Sequence, residues 1–433
     1  VALRKALSQR LGADTTTFLK AISAAFPSAE EVVWLHNRLE SANNSEDIPA
    51  DQMSVVIAAH RLLLPQTPEI SEEDAAVAVE LLSDHAVELS KPAGPLEVGW
   101  PARFIRDLSA AGLGVLMLAT DASGELVAIL AEQGQLRVLR PDVKERSFES
   151  RLKTWTATYP YQYGLIERDD GNEEFYLSMQ DFELPMPDTD KVLVVAQPAL
   201  QQLSYNLVLL NAQFAGASKA IGLAPSLTWF DSIRQRASAT SNKRHAWISC
   251  SLQSEAYGTM DMIFSRLAPL LDQHGFATDT SGRIPDNLHG ASIAVVTAHG
   301  QLTSEHRYIH SIADEQELTE SPLALARALA GVELVILFVC SGGRVDRHPM
   351  TNTTVSLPKM LLDRGCRAVI ASPWPLTHAV PGNWLERFLE AWETGDTVVE
   401  ANFKANLYVQ ERLGPEPALC HAMTVYGDVL LTK

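Results

Sequence analysis

Apolar residues recur at helical spacing over the first ninety positions, and the period then changes. In SAEEVVWLHNRLES, Val32, Leu35 and Leu39 fall on one helix face. Ser28 and Glu31 stand three apart ahead of that face, the arrangement of a capping box. SEEDAAVAVELLSDHAVEL opens the same way on Ser71 and Asp74, and MSVVIAAHRLLL between the two is closed by Pro65. The pattern predicts a helical segment over residues 1–90. It shows no 34-residue repeat. KPAGP at 91–95 reads as a linker.

From about residue 98 the apolar runs shorten. GVLMLAT, LVAILA and LRVL (114–120, 126–131 and 136–139) are separated by DASG and QG, which predicts a meander of hairpins. VLVVAQ (192–197) and LVLL (207–210) are two more predicted strands, and polar RASATSNKR (236–244) is a second predicted linker. Strands and helices then alternate. AWISCS (246–251), IAVVT (293–297), LVILFV (334–339) and AVIAS (368–372) read as strands. MIFSRLAPLLDQHG, SPLALARALAG, LPKMLLDRG and PGNWLERFLEAWETG read as the helices between and after them, and Thr397 and Glu400 box the start of a last long helix. Alternation of this kind predicts an α/β fold, a mainly parallel sheet flanked by helices. The expected organisation is a helical segment over 1–90, a first half over 95–235 and a second half over 245–433.

The chain of 433 residues is long enough for two or three domains with full cores. Its formal net charge of −18 argues against a nucleic-acid surface, which is usually basic. The four cysteines, at 250, 340, 366 and 420, form no CxxC pair, so neither a zinc knuckle nor a redox motif is expected. Few cysteines in a chain of this size fit a reducing, cytoplasmic location. No secretory leader is evident, and no apolar run reaches the ~18 residues of a membrane helix. Gly342-Gly343 lacks the Lys-Ser/Thr of a phosphate loop, and no cofactor is expected. His306 and His310 lie four apart with no third ligand nearby, so no metal is expected either.

LVILFVCSGG (334–343) carries the chemistry. A strand covered on both faces runs straight into Cys340 and then into a small residue and two glycines. IAVVT delivers His299 in the same way, one crossover earlier. The ends of such strands are where α/β proteins hold reactive groups. A thiol is mostly protonated at neutral pH, and a nearby imidazole can take or balance its proton and later protonate a leaving amine. Gly300 lets backbone come close to a substrate, and its N–H with that of Cys340 could form an oxyanion hole. A nucleophile elbow does not fit, because Phe338 stands where that turn needs glycine and the histidine comes before the nucleophile. Cys250, Cys366 and Cys420 read as packing residues.

These stretches resemble the CHAT domain, a bacterial branch of the caspase-like cysteine proteases. The resemblance rests on IAVVTAHG, LVILFVCSGG, LPKMLLDRGCRAVIASPWPL, the closing HAMTVYGD (421–428), APSLTWF (224–230) and the meander, and it covers about residues 95–433. It implies a caspase-like fold, a degenerate first half packed on an active second half, and peptide-bond hydrolysis through Cys340 and His299. Relatives act in bacterial conflict and cell-death systems, some beside gasdermins and some with CRISPR complexes. The clan places Phe338 (two before the nucleophile) in a substrate pocket, together with the Ser372-to-Trp374 stretch. An acid at that position favours basic substrate residues, and caspases hold aspartate with an arginine beside the tryptophan. Phe338 and the prolines flanking Trp374 imply that neither aspartate nor arginine is preferred at the cut. The chain departs from the family at Cys-Ser-Gly-Gly, where Cys-Glu-x-Gly is common, and at Leu376-Thr377-His378, where acids are common. The loop 343–356, with Arg344, Asp346 and Arg347, occupies the place where caspases are cut during activation.

The expected function is a regulated cysteine endopeptidase acting on a partner protein. The helical segment 1–90 brings no chemistry and reads as the surface for an activating protein. Two other classes compete: a silent caspase-like scaffold that binds its partner through those helices, and a small-molecule acyl or amide hydrolase.

Overall fold

The structure is a computed structural model and describes residues 28–41, 49–64, 70–83, 95–141, 144–159, 171–237, 241–249, 257–302, 307–313, 316–347 and 354–433. Cys250, His306 and residues 91–94 of the first linker lie outside them. The chain opens with helices α1 (Ala29–Ser41), α2 (Pro49–Leu62), α3 (Glu72–Leu82) and α4 (Trp100–Ala110). Both expected caps form: Ser28 and Glu31 exchange backbone and side-chain bonds, and Ser71 Oγ accepts from the Asp74 amide at 3.0 Å.

The strands of the main sheet are β1 (Gly114–Thr120), β2 (Leu126–Glu132), β3 (Gln135–Leu139), β4 (Lys191–Ala196), β5 (Ala220–Ala224), β6 (Arg244–Ile248), β7 (Ala277–Asp279), β8 (Ile293–Leu302), β9 (Arg307–Ala313), β10 (Gln316–Glu320), β11 (Leu334–Val339), β12 (Ala368–Ala371) and β13 (Thr424–Gly427). Between them run α5 (Phe148–Thr156), α6 (Gly171–Met179), α7 (Leu227–Gln235), α8 (Tyr257–Gln273), α9 (Pro322–Ala328), α10 (Leu357–Asp363), α11 (Val380–Glu393), α12 (Val398–Leu413) and α13 (Pro417–Cys420). The order across the sheet is β10-β9-β8-β11-β12-β13-β5-β4-β1-β2-β3, and β6 joins β8 with β7 outside it. The meander β1–β2–β3 is antiparallel, whereas β4, β1 and β5 are parallel, as are β6, β8, β11 and β12.

Two departures from the sequence pattern matter. LVLL does not make a full strand; the chain forms a 3₁₀ turn over Tyr205–Leu207 and a two-residue strand at Leu209–Leu210. β8 does not stop at Thr297. It runs on to Leu302, because past Ala298 it leaves β11 and pairs antiparallel with β9.

One sheet spans both halves. β13 pairs antiparallel with β12 and parallel with β5, so β1, β4 and β5 run opposite to β8, β11 and β12. The C-terminal ends of the two parallel sets therefore face opposite edges of the sheet. The described part of the helical segment shares this core: Val32, Leu35, Ala58, Leu63, Ala75 and Val79 are buried in the same cluster as the strands, and α3 packs on β1, β2, β3 and β4. Glu80, on α3, is fully buried, and its carboxylate accepts the amides of Leu227 and Thr228 at 2.9 and 3.0 Å. It thus satisfies two of the orphan donors at the start of α7 and complements that helix's positive end. At the C-terminal ends of β1 and β4, Gln197 exchanges bonds with the Thr120 amide and hydroxyl, and His60 Nδ1 lies 2.8 Å from the Thr120 carbonyl oxygen. Asp121, buried there, takes Arg140, whose guanidinium also reaches the Leu63 carbonyl.

Candidate active site

At the opposite edge the end of β11 is a turn built on small residues. Cys340 is half-buried and follows Val339 directly. Ser341 takes φ = 56°, a left-handed conformation that costs a non-glycine residue energy. The Gly342 amide closes back on the Val339 carbonyl at 2.9 Å, and the Arg344 amide on that of Ser341 at 3.1 Å. The Ser341 amide donates to the Trp374 carbonyl (3.2 Å) and the Gly343 amide to the Ser372 carbonyl (2.7 Å), which seats the turn on the segment after β12. The glycines answer to space. A side chain at Gly343 would lie 2.9 Å from the Ser372 backbone, and one at Gly342 3.0 Å from the Val339 carbonyl oxygen.

β8 brings the second candidate. Its parallel register with β11 ends at Ala298 against Val339, so the next residue in each chain is His299 and Cys340. The approach is tight at Gly300. A methyl there would overlap the Cys340 carbonyl oxygen and stand 2.8 Å from a Val339 methyl. His299 and Gly300 are both half-buried. The end of β11 and the point where β8 parts from it thus bring an imidazole, a thiol and a bare stretch of backbone to one place.

The expected pocket residues are placed differently. Phe338 is 4% exposed, with its ring edge-on to Trp384 of α11 at 5.8 Å. Trp374 is fully buried, edge-on to Phe175 of α6, and its indole N–H donates to the Ala418 carbonyl at 2.8 Å. Ser372, also fully buried, donates its hydroxyl to the Trp374 carbonyl at 2.8 Å. Ser372 and Trp374 build the platform beneath the Cys340 turn, and all three side chains are almost wholly enclosed. After the turn Val345–Arg347 pairs antiparallel with Thr354–Ser356, and Arg344 pairs with Asp346 at 3.0 Å.

The first half contributes to the site through contacts that no local sequence pattern marks. Gln202 donates to the Val345 carbonyl at 3.3 Å, and Asn206 donates to the His421 and Met423 carbonyls. Tyr426, from the closing HAMTVYGD stretch, donates its hydroxyl to the Gly343 carbonyl at 2.8 Å. The stretch itself was legible; its bond to the turn depends on a contact across 83 residues. Burial pushes the thiols of Cys366 and Cys420 up to about 12, so both stay protonated at neutral pH. Among the described residues no three His, Cys, Asp or Glu side chains gather as a metal ion requires, and no helix is long and apolar enough to cross a membrane.

The profile of the CHAT domain family matches residues 177–416, more than half of the chain. The chain belongs to the CHAT domain family. The matched stretch holds β8, β11, the Cys340 turn and its platform, and stops short of the β13 stretch resembled above. Two crystal structures of the Saccharomyces cerevisiae separase–securin complex superpose on the CHAT chain with TM-scores of 0.53 and 0.54 at 10% identity. They cover 92% and 98% of this chain, which in turn spans only 37% and 39% of theirs. At that identity the likeness establishes the fold, the caspase-like sheet with helices on both faces. The Arg-specific cysteine proteinase gingipain R, at 14% identity over 67% of this chain and 70% of its own, superposes at only 0.39. No curated protein matches the sequence.

Proposed function

We propose that this CHAT domain is a cysteine endopeptidase with Cys340 as nucleophile and His299 as general base and then acid. The observation that carries the reading is the seating of the His299-Gly300 backbone against the Cys340 carbonyl, at the end of two adjacent parallel strands. His299 takes the thiol proton as sulfur attacks the scissile carbonyl carbon. The amides of Gly300 and Cys340 receive the oxyanion, a contribution worth about 3 kcal/mol per donor at the transition state. The imidazolium returns the proton to the departing amine. Water, activated by the same imidazole, then releases the acyl group as acid and restores the thiol.

The substrate class in this reading is a protein. Family membership and a separase-like fold support it, and separase is itself recorded in complex with the protein securin. We carry over from the family resemblance a regulated role in bacterial conflict or cell death, which makes a host-cell lysate the place to look for the substrate. We propose that neither aspartate nor arginine is preferred at the cut, because Phe338 and the prolines flanking Trp374 bring no charge beneath the turn.

The test is trapping. Wild type, Cys340→Ala and His299→Ala are each incubated with a peptidyl thiol-reactive electrophile, with and without host lysate, and adduct mass and new fragments are read. The expected result is an adduct on Cys340, slowed on the order of a thousandfold in His299→Ala, with lysate fragments absent in both variants. Folded wild type that gives neither adduct nor fragments would favour the silent scaffold.

A further inference from the structure

We infer that Tyr426 is a positioning residue for Cys340. The inference rests on the endopeptidase reading above. The nucleophile turn hangs from β11 by one peptide and must hold Cys340 at an edge where Ser341 sits in a strained conformation. Strain of that kind persists only where surrounding contacts over-determine it. Two of those contacts are backbone bonds from Ser341 and Gly343 to the platform at Ser372 and Trp374. Both use amides and both pull toward β12. The carbonyl of Gly343 has a separate partner, the Tyr426 hydroxyl of β13, the next strand beyond β12, which donates to it at 2.8 Å. The Gly343 peptide is therefore held at both ends, by β12's exit on its amide side and by β13 on its carbonyl side.

Tyr426 is well placed to hold something steady. It lies in the register of β13, opposite Val369 of β12 and beside Leu223 of β5, so the strand that fuses the two halves also carries the clamp. Its ring is half-buried and lines a narrow cleft with Gln201, Leu223 and Val345. Val345 is in turn held by Gln202 of the first half. The turn is fixed by the second half through amides and by the junction through a phenol. Freeing the Gly343 carbonyl lets the turn relax toward an unstrained Ser341 and moves the thiol off the line of attack.

The experiment uses Tyr426→Phe, which deletes one hydroxyl, with Tyr408→Phe as a control. A peptidyl electrophile is titrated against each protein, and the rate at saturation is separated from the concentration giving half that rate. The expected result is a roughly tenfold fall in the saturated rate at Cys340, unchanged half-saturation, an unchanged unfolding midpoint and a wild-type control. Amide exchange by mass spectrometry supplies the second measurement, with faster exchange expected at 341–344 alone, read below the midpoint if the variant is less stable. A wild-type saturated rate, or unaltered exchange at 341–344, would overturn the inference. Failure of wild type to label at Cys340 in preference to Cys366 and Cys420 would instead overturn the endopeptidase reading.

Discussion

The two halves of the sheet present their parallel strands to opposite edges, and the edges are finished in opposite ways. At the ends of β1 and β4 the polar groups answer one another: Gln197 with Thr120, Asp121 with Arg140, His60 with the Thr120 carbonyl. Thr120, Asp121 and Gln197 are all buried, and α2 lies over them. At the end of β11 the chain turns on glycines, β8 passes beside that turn at Gly300, and His299 and Cys340 are half-buried. The same architecture yields a closed polar seam at one edge and, at the other, a notch that holds His299 and Cys340. What separates them is which residues stand there, buried Thr, Asp and Gln at one edge and half-buried His and Cys beside glycines at the other, a difference of residue type and not of topology.

The comparison is sharpened most by Gly300→Ala. The added methyl collides with the Cys340 carbonyl, so the variant is expected to lose on the order of a hundredfold in Cys340 labelling and about 1–3 kcal/mol of stability, read by electrophile kinetics and thermal unfolding. Wild-type labelling would mean that the two strand ends do not need to meet so closely. Next in size is a pH effect at the seam between the halves. Burial lowers the His421 imidazole from its ordinary value to about 4. The unfolded chain takes up that proton near pH 6.5 and the folded one does not, so stability is full above about 6.5 and falls as pH drops toward 4, by roughly 3 kcal/mol at most. His421→Phe is expected to flatten that part of a urea-unfolding series against pH; an unaltered slope would assign it to other groups. Smallest is Gln197→Leu at the far edge. It orphans the Thr120 amide and hydroxyl and is expected to cost about 2 kcal/mol, while the labelling rate of Cys340 stays at wild type. A slowed Cys340 would show that the far seam supports the near notch.

Much of this was legible in the sequence for physical reasons that can be named. Strands buried on both faces write unbroken apolar runs, so β1, β4, β8 and β11 stood out, and caps such as Ser71 and Thr397 mark helix starts locally. His299 and Cys340 could be named because each follows such a run directly. The extension of β8 to Leu302 could not, because its reason is a partner strand, β9, and not its own composition. The packing of Phe338 and Trp374 is not legible for a related cause. An aromatic near a nucleophile reads as pocket lining, but α11 and α6 claim both rings from elements 46 and about 200 positions away. Glu80 is the sharpest case. A glutamate in a helix reads as solvated, yet it caps α7 from 147 residues upstream.

The pairing of β13 with β5 fuses two half-sheets through only two register pairs, Val425 with Gly222 and Tyr426 with Leu223. A sheet of this breadth could also arise from two separate chains meeting edge to edge, and its integrity would then depend on how often they met. Here the meeting is written into the covalent chain, so the seam is held at an effective concentration that dilution does not change. Scarcity of the molecule cannot part the halves, and whatever restrains the notch must act on a unit already assembled.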